Sequence, residues 1–151
     1  GPEDENYWAL NGDTYMKGAW VMHTLRSAIN DDPTWFIILK EFMVENAKGH
    51  VSTEDFFDKV KERTGSDYSY FSEQYLYTPN QPELEYYQTD SSFYYRWNNI
   101  NDNFIMPMDL LVNGIEKRVL PNQKFQSFDI KKHATIEVMD WKFYVKSTEK
   151  K

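Results

Sequence analysis

Between Asp13 and Thr78 apolar residues recur at intervals of three and four, as at Tyr15, Ala19, Met22, Leu25 and Ile29, and again at Phe36, Leu39, Phe42 and Met43. That spacing gathers them on one side of an α-helix, so this stretch is expected to fold as a set of short helices. Polar punctuation sets the ends. Asp31-Asp32-Pro33 offers a capping carboxylate and a proline at a first helical turn, and Gly49 stands where a helix should stop. Ser52-Thr53-Glu54-Asp55 opens the next helix, with hydroxyls that accept from free N–H groups and an acidic pair suited to the positive end of the helix dipole. Gly65 closes it, and a last helix is expected over Tyr68 to Leu76, behind the capping pair Ser66-Asp67.

Beyond Thr78-Pro79-Asn80-Gln81-Pro82 the period changes to two, with Phe93, Tyr95 and Trp97 alternating with Tyr94, Arg96 and Asn98. Asn113-Gly114, set between Leu110-Leu111-Val112 and Ile115, supplies the positive φ angles of a tight hairpin. Further strands are expected near Leu84 to Gln88, Lys124 to Phe128, Ala134 to Met139 and Trp141 to Lys146. The chain is therefore read as α+β: a helical part over 1–82, then over 83–151 an antiparallel β-sandwich of about seven strands.

Composition changes this picture little. Of 151 residues, 40% are hydrophobic and 17% aromatic, enough for a core despite a net charge of -7. Charges of both signs are interspersed, which speaks against a nucleic-acid footprint, and Lys131-Lys132 and the Lys146 to Lys151 tail read as solvated ends. No run approaches the ~20 apolar residues of a membrane-spanning helix. Gly1-Pro2 looks like a scar of tag cleavage, so any localisation signal upstream would be invisible; a periplasmic or envelope location in a bacterium and a cytoplasmic one stay equally open.

The chemistry on board is sparse. His23, His50 and His133 stand far apart with no His-x-x-x-His pair, so no metal motif exists and no cofactor is expected in this chain itself. His23 reads as packed or hydrogen-bonded, and His50 and His133 as loop or strand-edge residues. There is no cysteine, no Gly-x-Ser-x-Gly turn and no phosphate-cradling loop. Capping accounts for Glu54-Asp55, and solvent exposure on an early strand for Glu83 and Glu85. What remains is Tyr15-Met16-Lys17-Gly18-Ala19-Trp20. Packing of Tyr15 and a close helix crossing at Gly18 would explain it.

That segment resembles the aminopeptidase N family of zinc peptidases (gluzincin aminopeptidases), whose members carry a Tyr-x-Lys-Gly-[Ala/Ser] helix start downstream of His-Glu-x-x-His. Met22-His23-Thr24-Leu25-Arg26 is similar to the family's apolar-x-x-Leu-Arg continuation, Asn30-Asp31-Asp32 to its Gly-Asp-Asp turn, and Trp35-Phe36 to its bulky pair. Val51-Ser52-Thr53-Glu54-Asp55-Phe56 resembles Thr-Thr-x-Asp-Phe, and Thr64-Gly65-Ser66-Asp67-Tyr68 resembles Ser-Gly-x-Asp-Leu. Phe71-Ser72-Glu73-Gln74-Tyr75-Leu76 fits Phe-x-x-Gln-Trp-Leu, and Gln81-Pro82-Glu83-Leu84 looks like the Tyr-Pro-x-Leu leading into the family's β-sandwich. The chain departs from the pattern in lacking His-Glu-x-x-His and the downstream glutamate ligand.

The resemblance implies a helical C-terminal portion of a metallopeptidase catalytic domain followed by an immunoglobulin-like sandwich. It further implies zinc held by an upstream catalytic region of an intact parent, a peptide substrate trimmed from its N-terminus, and Tyr15 as hydrogen-bond donor to the developing oxyanion. Lys17 and Gly18 are then structural, and this fragment alone is expected to be inactive. Two other readings stand beside it. One is a parent that has lost its metal and serves as a scaffold. The other is a non-catalytic binding module that uses an exposed aromatic platform; Tyr86, Tyr87, Tyr94, Tyr95 and Trp97 could supply it, although core and interdomain packing is the preferred role for them.

Overall fold

The computed structural model of the chain describes residues 12–49 and 52–151, with side chains from Lys17 onward. Gly1-Pro2 and His50 lie outside the described residues. Helices come first: α1 (Gly12–Ile29), α2 (Asp32–Ala47), α3 (Thr53–Thr64) and α4 (Ser69–Leu76). Their ends follow local chemistry. Asp31 accepts from the Thr34 N–H at 3.1 Å ahead of α2. Ser52 and Asp55 exchange side chain and backbone at 3.1 and 3.0 Å in a reciprocal cap on α3. Gly65 ends α3 at φ +76°, a left-handed conformation that costs glycine nothing. Asp67 takes the Ser69 N–H at 2.8 Å, fixing the turn into α4.

The buried stripe of α1 is rotated from the expected one. Val21, Thr24, Leu25 and Ala28 face the core, whereas Ala19 and Met22 are exposed. Leu25 belongs to both stripes, which is why spacing alone could not separate them.

The second half forms β1 (Glu83–Gln88), β2 (Ser92–Asn98), β3 (Met108–Val112), β4 (Ile115–Val119), β5 (Gln126–Asp129), β6 (Ile136–Val138) and β7 (Lys146–Glu149). They make a four-stranded sheet in the order β5-β2-β1-β7 and a three-stranded one in the order β4-β3-β6. The β3–β4 hairpin turns at Asn113 (φ 50°) and Gly114 (φ +79°), as its Asn-Gly sequence requires. Two expectations are corrected. The ladder between β1 and β7 is parallel, so the larger sheet is mixed instead of wholly antiparallel. The segment Trp141 to Lys146 is not a strand: Asp140–Lys142 is a 3-10 turn closed by Lys142 N–H to Met139 O and Phe143 N–H to Asp140 O, and pairing resumes only at Lys146. That turn lets Phe143, 1% exposed, enter the core.

One apolar core runs through both halves. Leu25, Ile38, Val60 and Phe71 from the helices join Leu84, Phe93, Trp97, Met108 and Leu110 from the sheets. Phe104, in the β2–β3 connection, is the hinge of this packing, set edge-on to Tyr70, Tyr75 and Trp97. Gln74, fully buried, spans the Pro79–Pro82 connection by donating to Asn80 O at 2.9 Å and accepting from the Asn101 N–H at 2.7 Å. Among the described residues no helix is long and apolar enough to cross a membrane.

Candidate functional site

Tyr15 falls inside α1, but its side chain lies outside the described residues. Helical spacing places the position on the face that carries Ala19 and Met22, both exposed. Among the described residues none makes a close crossing at Gly18: a Cβ at that position would meet none of them within 4 Å. Lys17 is half-buried at the rim of a small polar recess shared with Gln74, Tyr75, Thr78 and Tyr144. Below Met22 an open apolar cleft of about 300 Å³ runs between the helices, lined by Val21, Leu25, Leu39, Phe42, Phe57 and Leu76. Its chemistry is that of packing, since Ser52 and Thr53 are its polar members.

The C-terminal half of α1 is bound to the β half. Thr24, fully buried, donates to Trp20 O at 2.6 Å and accepts the Tyr144 N–H at 2.7 Å. His23 Nε2 lies 3.2 Å from Trp141 O, so this histidine is engaged with backbone, as its helical isolation suggests. Arg118 of β4 reaches Ser27 O at 2.7 Å and Ala28 O at 3.1 Å, and its other edge grips Asp109 of β3 at 2.8 and 3.1 Å. Lys142 adds a third cationic contact, 3.1 Å from Asp109 Oδ2. Sequence reasoning missed this cluster, yet a signal was there. Asp109 interrupts an apolar strand, and a two-residue Asn113-Gly114 turn sets it opposite Arg118, the register observed.

Burial pushes the Asp109 carboxyl up, but the Arg118 and Lys142 hydrogen bonds outweigh burial and hold it below its usual range. A folded-state value below the unfolded one means the stabilisation is present above about pH 4 and is lost as pH falls through the folded value. Asp109→Asn is therefore expected to lower stability at neutral pH and to flatten its decline between about pH 5 and pH 3. Urea unfolding across that range checks this, and parallel profiles for the two proteins would rule it out.

Every described carboxylate with a shifted pKa (Asp32, Glu41, Asp67, Glu83, Glu85 and Asp109) is shifted down and so holds its charge at neutral pH. Glu83 and Glu85 are not the solvent-exposed pair expected. Glu85 is 3% exposed beneath Arg96, Asn98 and Lys150, and Glu83 is covered by Thr148 and Asn98. The aromatics of β1 and β2 divide by face. Tyr95 and Trp97 enter the core and Tyr86 packs against it, while Tyr87 and Tyr94 stack at 4.5 Å on the opposite side, beside a partly exposed Phe125. Among the described residues no group of three or more His, Asp or Glu could hold a metal ion, so these residues do not fit a zinc site.

The fold is aminopeptidase-like. A solved structure that the chain matches is Legionella pneumophila aminopeptidase A in complex with aspartic acid, with a TM-score of 0.73 at 16% sequence identity over 94% of this chain. The chain spans 18% of that protein's length. Neither a protein-family model nor a curated protein matches the sequence.

Proposed function

We propose that the chain is part of a zinc-dependent aminopeptidase that removes N-terminal residues from peptides, and that it contributes Tyr15 to the active site. The observation that carries this is likeness of fold to an aminopeptidase over 94% of the chain, helices and sheets together. The ordered motifs from Tyr15 to Leu84 support it. In this reading residues 1–82 are the C-terminal portion of the catalytic domain, and 83–151 an immunoglobulin-like β-sandwich of seven strands. Zinc and the catalytic base belong to an upstream region of a longer polypeptide.

A phenol suits the role assigned to Tyr15. With a pKa near ~10 it keeps its proton at neutral pH and can donate to an oxyanion without ionising. Zinc content and hydrolysis of an aminoacyl chromogenic substrate, measured side by side, test the proposal. The longer polypeptide is expected to hold zinc and cleave, and this chain alone to do neither. Cleavage by this chain would overturn it. Inactivity of both would favour a binding module, for which the Tyr87, Tyr94 and Phe125 group is the surface to titrate.

A further inference from the structure

We propose that Arg118 is a positioning residue for the phenol of Tyr15, an inference that rests on the role given to Tyr15 above. The last carbonyls of a helix lack intrahelical donors, and at α1 two of them, Ser27 O and Ala28 O, are taken by one guanidinium. A cation there also meets the negative end of the helix dipole. The same planar group is locked on its other edge by Asp109, whose side chain is 1% exposed, and β3–β4 pairing sets Asp109 directly opposite Arg118. The end of α1 is thus indexed to the β3–β4 hairpin through a rigid fork.

The polar contacts that tie α1 to the β half fall on His23, Thr24, Ser27 and Ala28, among the described residues, while Gly18, Ala19, Trp20 and Met22 are exposed. The helix is clamped along its C-terminal half, and Tyr15 lies in the other half, beyond these contacts. At about 1.5 Å of rise per residue Tyr15 lies about 18 Å from Ser27 along the axis, so a tilt of about 5° at the clamp moves it by about 1.6 Å. Displacements of about 1 Å can cost about 10²-fold in rate when a catalytic group must meet a developing charge. Burying an ion pair is a poor source of stability, because desolvation offsets the attraction; fixing a conformation is the role that fits this one.

The test is made in the longer polypeptide, with Tyr15 and with Tyr15→Phe. Asp109→Leu combined with Arg118→Met removes both charges and leaves no buried carboxylate unpaired; Lys142 keeps Glu116 at 2.7 Å. With Tyr15 present, kcat is expected to fall about tenfold or more at unchanged KM. In the Tyr15→Phe background the same pair should cause no further loss, since a positioning effect acts only through the phenol. Arg118→Lys keeps a charge beside Asp109 and so folds even where the pair variant does not. Lacking the fork, it should lower kcat about threefold or more, again only with Tyr15 present. Losses that multiply in the two backgrounds, or an unchanged kcat, would overturn the inference and leave the role of Tyr15 standing. A Tyr15→Phe variant with full activity would overturn both.

Discussion

Tyr15→Phe in the longer polypeptide is expected to lower kcat by about 10²–10³-fold, the loss typical of removing one oxyanion donor. The exchange deletes a hydroxyl and nothing else, so α1 keeps its packing. The core face of that helix is Val21, Thr24, Leu25 and Ala28, on a different side from Ala19 and Met22. A donor that acts only on developing charge lowers kcat and kcat/KM together. The check is steady-state kinetics paired with a thermal melt: a fall in kcat at an unchanged Tm supports catalysis. An unchanged kcat would return Tyr15 to a packing role and leave the aminopeptidase-like fold without its proposed chemistry.

The largest effect on stability is expected for Trp97→Ala, a loss of about 3–5 kcal/mol. Trp97 is 1% exposed, donates from Nε1 to Met106 O at 3.1 Å, and meets Phe104 edge-on at 5.4 Å. Removing it empties a volume its neighbours cannot fill and orphans a buried carbonyl. A domain of this size has about 5–15 kcal/mol in total, so the variant should unfold at much lower urea. Phe104 carries the contact onward to Tyr70 and Tyr75 of α4, so the helical signal in far-ultraviolet circular dichroism should shift together with Trp and Tyr fluorescence. Helices that persist after the sheets have unfolded would mean that residues 12–82 and 83–151 are separately stable, contrary to the shared core.

Local chemistry was legible residue by residue. The caps at Asp31 and Ser52, the left-handed stop at Gly65 and the Asn113-Gly114 turn each depend on groups within a few positions of one another, so the sequence contains the whole interaction. The inward alternation of Phe93, Tyr95 and Trp97 was equally readable, because a strand with one face on the core admits only one register. The Asp109–Arg118 pairing could have been read by counting outward from the turn. The alliance of both with Ser27 and Ala28 could not, since it joins positions distant in the chain.

Where elements begin and end, and which segments alternate or repeat, follows from residue order, because hydrogen-bonding partners and steric limits there are local. Tertiary structure alone decided which side of α1 is buried, that β7 joins β1 in parallel, that Trp141 sits in a turn so Phe143 can reach the core, and that Glu85 is covered by Arg96 and Lys150. Each is settled by what packs from elsewhere in the chain. Burial rewards any apolar face about equally per unit area, and only the assembled neighbours select which face it is.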